Sequence, residues 1–66
     1  MVRIEGVNLP DNKRMEYALT YLFGIGVKRS RDILNKVGID LSKRARELTD
    51  EEVAMIQKEI SENYNM

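Results

Sequence analysis

The chain has no cysteine and no histidine, and four aromatic residues in all: Tyr17, Tyr21, Tyr64 and Phe23. Without Cys there is no disulfide to staple so short a chain, and without Cys and His the usual zinc sites are excluded. Cys nucleophiles and Ser-His-Asp arrangements are excluded with them. No apolar run approaches the roughly 20 residues that span a bilayer. The N-terminus also lacks the apolar stretch of a signal peptide, so a soluble intracellular protein is expected. A chain of 66 residues has room for one domain over residues 1–66 and a single small core. At about this size only about 60% of the unfolded surface is buried, and stability is marginal. Excess charge of either sign is lacking too, but the neutral total hides a split. Residues 1–46 carry ten Lys/Arg against five Asp/Glu, a net of +5, and residues 47–66 a net of −5. Such asymmetry directs one face toward an acidic partner, while the acids at the other end make a solvated helix.

Proline occurs once. Pro10 closes an extended opening in which Val2, Ile4 and Val7 alternate with Arg3 and Glu5. Asp11 or Asn12 is then placed to cap a first helix over about 12–22, in which Met15, Ala18, Leu19 and Leu22 form one apolar face. A second helix is expected over 28–37, with Ser30, Ile33, Leu34 and Val37 on its face. Ser30 is the small member and implies a close neighbouring helix. Gly38 suits the left-handed position after that helix, with Ile39 able to touch Leu34. The third helix, over 49–62, has the clearest start. Thr49 and Glu52 form a capping box, and Leu48 with Val53 a hydrophobic staple. Val53, Ile56 and Ile60 are its buried stripe. The expected fold is all-α: a small, monomeric three-helix domain with a helix-hairpin-helix element made by the first two helices, and a short extended N-terminal segment. Leu19, Leu22, Ile25, Ile33, Leu34, Val53 and Ile56 should share one core.

Between the first two helices lies Gly24-Ile25-Gly26, followed by Lys28, Arg29 and Arg31. Glycine lets the backbone approach a ligand closely. A helix that begins after such a turn offers free N–H groups and the positive end of its dipole to an anion. Cations in that first turn oppose the dipole, each at about 0.3–1 kcal/mol when exposed. A polyanion bound there is the simplest reason to place them so, most plainly a nucleic-acid phosphate backbone. The plainer reading makes Gly-Ile-Gly a tight connector pinned by Ile25; the three cations favour binding. Lys43, Arg44 and Arg46 form a second basic stretch. Basic runs in connectors are ordinarily solvated, and these become binding residues if the fold sets them beside the hairpin. Arg3, Lys13 and Arg14 could extend the patch, but single cations near a terminus or a helix start read first as surface residues. Tyr17 and Tyr21 read as edge cover for the core, with base stacking the alternative, and Phe23 as core filler, with a base wedge the alternative. Asp50, Glu51 and Glu52 are explained by helix capping without a metal. No cofactor, no metal and no catalytic acid or base is expected, and the chain reads as a non-enzyme.

Four blocks of residues carry a resemblance. They are Val2-Arg3-Ile4-Glu5-Gly6-Val7-Asn8-Leu9-Pro10, Ala18-Leu19-Thr20-Tyr21-Leu22-Phe23-Gly24-Ile25-Gly26, Ser30-Arg31-Asp32-Ile33-Leu34 and Leu48-Thr49-Asp50-Glu51-Glu52-Val53. In order and spacing the chain resembles the bacterial-type small-ribosomal-subunit protein thirteen family over essentially its whole length. The resemblance implies a helix–two-turn–helix domain in the head of the small subunit, on a cytoplasmic or organellar ribosome. It implies three partners: small-subunit rRNA, a neighbouring head protein and a large-subunit protein at an intersubunit bridge. By position, Gly24, Ile25, Gly26, Lys28, Arg29 and Arg31 would contact the RNA. Family members continue into a further helix and a long basic tail that approaches tRNA. This chain stops at Met66 and is expected to be an N-terminal domain without the tRNA contact. The hairpin alone is shared with DNA-binding modules of repair and recombination proteins, which form the second hypothesis. A protein-interaction domain that uses the acidic third helix is the third.

Overall fold

The strongest local signal in the chain builds its longest helix. The computed structural model describes residues 2–63, and within it the last helix, α3, fills Asp50–Asn63. Glu52 N–H donates to Thr49 Oγ1 at 3.1 Å, and Thr49 N–H donates to Glu52 Oε1 at 2.9 Å. The capping box is thus closed in both directions, satisfying donors that helical hydrogen bonding leaves free. Leu48 and Val53 are half-buried and pack against the core beside it.

The preceding helix, α2, spans Val27–Val37. It stops because Gly38 takes a φ of 79°, where a Cβ would be strained. Gly38 N–H then reaches Asn35 O at 3.3 Å and Ile39 N–H reaches Leu34 O at 2.9 Å, the paired bonds of a Schellman ending. Ile39 is buried, as that motif prefers.

The start of the first helix departs from expectation. The α-helix α1 is only Met15–Ala18, continued by a 3-10 turn over Leu19–Tyr21. Neither Asp11 nor Asn12 caps it. Arg14 stands at its N-cap in extended conformation, with no side-chain cap bond. The backbone of a distant segment does the work instead. Arg14 forms an antiparallel bridge with Arg44, and Met15 N–H donates to Lys43 O at 2.7 Å. Ala45 N–H to Lys13 O at 3.0 Å and Arg46 N–H to Asp11 O at 3.2 Å extend the pairing. Residues 39–48 are therefore more than a connector: they form a strap hydrogen-bonded across residues 11–15, including a second 3-10 turn at Ala45–Glu47. A helix only four residues long gains little from its own hydrogen bonds, so this tertiary pairing decides where it begins.

The N-terminal segment is extended but also folds back. Strands β1 (Arg3–Ile4) and β2 (Val7–Asn8) pair antiparallel, with Ile4 opposite Val7. The turn residues Glu5 and Gly6 both have positive φ, as a two-residue hairpin with the twist of its strands requires. Met1 lies outside the described residues.

α2 packs against both α1 and α3. Ser30 is fully buried where α2 meets α1, its Oγ donating to Met15 O at 3.3 Å. The small side chain permits the close approach that its position implied. The core gathers Leu19, Leu22, Ile25, Ile33, Leu34 and Ile56 with half-buried Val53, together with Met15, Ala18 and Ile60 of the expected apolar faces, and adds Ile4, Leu9, Ile39 and Ala45. Phe23 is the exception. It is 88% exposed beside the hairpin and fills no core; Ile25, two residues on, is the side chain the turn directs inward. Among the described residues the body of the fold is all-α, three α-helices and two 3-10 turns, preceded by the small N-terminal hairpin.

Candidate nucleic-acid interface

The hairpin holds its shape through backbone and one guanidinium. Gly24 takes a φ of 82°, the left-handed region that glycine occupies without strain. Ile25, only 4% exposed, is tucked under it, with its N–H on Leu22 O at 3.2 Å. Gly26 is different: its φ of −91° is open to any residue. A Cβ at Gly24 or Gly26 would meet nothing within 4 Å. The surface over Gly26 is therefore open, and packing does not require its missing side chain. Gly26 is the N-cap of α2 and supplies no side-chain cap, so the first-turn amides remain available.

The three cations after the turn differ in what holds them. Arg29 Nη1 donates to Gly24 O at 3.1 Å and braces the hairpin from outside. Arg31 Nε reaches Glu16 Oε2 on α1 at 3.2 Å; the Glu16 side chain is 10% exposed and that of Arg31 48%. Lys36, one turn further on, pairs with buried Glu59 of α3 at 3.2 Å, so α2 is tied by charge to both neighbours. Among the described residues Lys28 takes part in no ion pair. Of the three, only Lys28 opposes the helix dipole with no bond to compensate it among the described residues. Arg29 and Arg31 also have structural employment, with guanidinium donors left over.

The second basic stretch divides in the same way. Lys43 Nζ lies 2.8 Å from Glu52 Oε1 and 3.0 Å from Oε2, tying the strap to the start of α3. Arg44 donates through Nη1 to Asn12 O, and Arg46 through Nη1 to Asn12 Oδ1 at 2.7 Å. The strap enters through an Asp40 turn. Ser42 N–H and Oγ donate to Asp40 Oδ1 at 2.8 and 2.7 Å, and these bonds hold its carboxyl below the usual carboxylate range. The strap thus sets Lys43, Arg44 and Arg46 against residues 11–14, and with them Lys13 and Arg14, which the sequence left as single surface cations. No linear spacing relates residue 13 to residue 44, so only their shared charge was readable.

The Lys43 ammonium and the Thr49 amide also hold the Glu52 carboxyl below its ordinary value, Lys43 contributing most. A carboxyl depressed in the folded state adds stability above its unfolded pKa and loses it as pH falls through the folded one. Glu52→Gln keeps the capping bond and removes the charge. The melting-temperature gap between the native chain and this variant should be full near neutral pH and close progressively below the usual carboxylate range. A gap that persists in acid rules out the charge as its cause.

Among the described residues, no helix is long and apolar enough to cross a membrane. The chain is 59% identical over 64 residues to the "Small ribosomal subunit protein uS13" of Campylobacter jejuni subsp. jejuni serotype O:23/36 (strain 81-176). That alignment takes in 97% of this chain and 53% of the relative, so the chain spans about half the length of the curated relative it matches. The family model described as ribosomal protein S13/S18 covers residues 3–66, from the first strand through the hairpin and the strap to the last helix, and the chain belongs to that family.

Proposed function

We propose that this chain is a structural, non-enzymatic constituent of the small ribosomal subunit and binds small-subunit rRNA through the hairpin. Residues 1–66 serve as one RNA-binding domain of the N-terminal type. The observation that carries the reading is the open hairpin: uncapped α2 amides, no neighbour over Gly24 or Gly26, and Lys28 exposed and without an ion pair among the described residues. Phosphates held by backbone N–H groups and Arg/Lys position a protein on folded RNA by shape and charge. Lys28 supplies the free charge, and Arg29 and Arg31 the further donors. Arg44 and Arg46, with Lys13 and Arg14, form a second contact across the strap, while Lys43 holds the strap to α3. A neighbouring head protein and a large-subunit bridge protein are the further partners, and the site of action is the ribosome.

The test is a titration of the chain against a transcript of the small-subunit head rRNA, a DNA duplex and a basic protein. The RNA should bind most tightly, with affinity falling as salt rises, by about 0.7–0.9 log units per phosphate neutralised for each tenfold step. A preference for duplex DNA would instead favour the repair-type module. Preference for the basic protein would move the activity to the acidic face of α3.

A further inference from the structure

Where the strap crosses the start of α1, it leaves a cavity of about 500 Å3, open to solvent. Its walls include Pro10, Asp11, Lys13, Arg14, Tyr17 and Arg44. They come from two segments that meet only through tertiary pairing at the Arg14–Arg44 bridge. Three cations face one carboxylate. Arg44 is held in place by its bond to Asn12 O, and Lys13 and Arg14 form no ion pair among the described residues. Tyr17 is 42% exposed, whereas Met15, Ala18 and Leu19 beside it on the same short element are buried. The groove therefore offers two surfaces at once, an apolar wall of Pro10 and Tyr17 and a cationic one.

An unstacked nucleotide presents the same pair of surfaces, a flat base and a phosphate. Duplex RNA keeps its bases stacked inside and would use the cations only. Single-stranded loops and bulges splay bases out onto aromatic side chains. Three cations against one carboxylate favour an anionic occupant. We infer that this groove receives one unpaired nucleotide of the RNA, its base against Tyr17 and its phosphate among Lys13, Arg14 and Arg44. The inference rests on the RNA-binding reading above and adds a second site with a different ligand chemistry from the hairpin's.

The experiment uses the full chain and the head rRNA transcript, with Tyr17→Leu, Tyr17→Phe and the double variant Lys13→Gln/Arg14→Gln. Base–aromatic stacking is worth about 1–3 kcal/mol per base, so Tyr17→Leu should weaken binding by about 5- to 150-fold. Its salt slope should match that of the native chain, because no charge is lost. Tyr17→Phe should bind as the native chain does. The double variant should weaken binding and flatten the slope by about 0.7 units, as the loss of one phosphate contact requires. Ultraviolet crosslinking of the native chain, which needs no variant to fold, should join Tyr17 to an unpaired nucleotide. Three results overturn the inference. One is native affinity in folded Tyr17→Leu, whether or not binding to a neighbouring protein is lost. Another is equal weakening by Leu and Phe. The third is a crosslink confined to paired RNA. If these occur while the hairpin charge variants do lose RNA binding, the groove assignment fails and the RNA-binding reading survives. If the native chain binds no head rRNA, both fail.

Discussion

Ile56→Ala or Ile33→Ala should unfold much of this protein at physiological temperature. Both side chains are fully buried, Ile33 on α2 and Ile56 on α3, in a shared core. Truncating a buried isoleucine to alanine costs about 2–5 kcal/mol, part from lost transfer energy and part from the cavity left behind. A domain of this size has a total stability of about 3–10 kcal/mol, so the loss is a large fraction of the whole. Since 1 kcal/mol moves the midpoint of a small domain by about 4–8 °C, a drop of at least about 10 °C is expected from either change. Thermal melts followed by circular dichroism check it. Val37→Ala, at a half-buried position packed against the same core, should lower the midpoint much less. A melting temperature unmoved by both isoleucine variants would refute the shared core.

Changing Lys28, Arg29 and Arg31 together to Gln should cost roughly a hundredfold in affinity for head rRNA at about 0.1 M salt. It should also flatten the salt slope by about two to three units, as three lost phosphate contacts require. The single variants should separate binding from folding. Lys28→Gln should weaken binding and leave the fold as stable as before or slightly more so, because its charge opposes the α2 dipole and has no ion-pair partner among the described residues. Arg31→Gln should lower stability as well, since it leaves the buried Glu16 carboxylate without its partner. On charge alone all three substitutions would be harmless to the fold; the Arg31–Glu16 pair makes one of them harmful. Gly26→Glu isolates the cradle itself. Its backbone conformation is ordinary and its Cβ would meet open space, so the fold should survive, while a negative charge stands where a phosphate belongs. Native affinity and slope in the triple variant would make the hairpin a connector. Lys13, Arg14, Arg44 and Arg46 would then be the better RNA contacts.

The features legible in the sequence share one physical property: they are closed within a few residues of chain. The Thr49–Glu52 box, the ending of α2 at Gly38, the apolar stripes of α2 and α3 and the burial of Ile25 all follow from short-range hydrogen bonding and helical periodicity. All appear in the structure where their residues predicted them. The family followed from ordered blocks of residues spread along the whole chain. What only tertiary structure decided is carried by contacts between distant segments. The first helix begins at Met15 because the strap's Lys43 carbonyl takes its amide. Arg31 is half a structural residue because Glu16, 15 positions earlier, lies beside it. Phe23, read as core filler, is left in solvent, while Ile25 two residues on is the buried side chain of the turn. The Tyr17 groove exists because Arg44 is fastened to Asn12, 32 positions away. Periodicity and capping act over one or two helical turns, so they determined α2, α3 and most of the core residues on them. Which cations remain free for a partner depends on which carboxylates and carbonyls the folded chain brings to them, and that was settled only by packing.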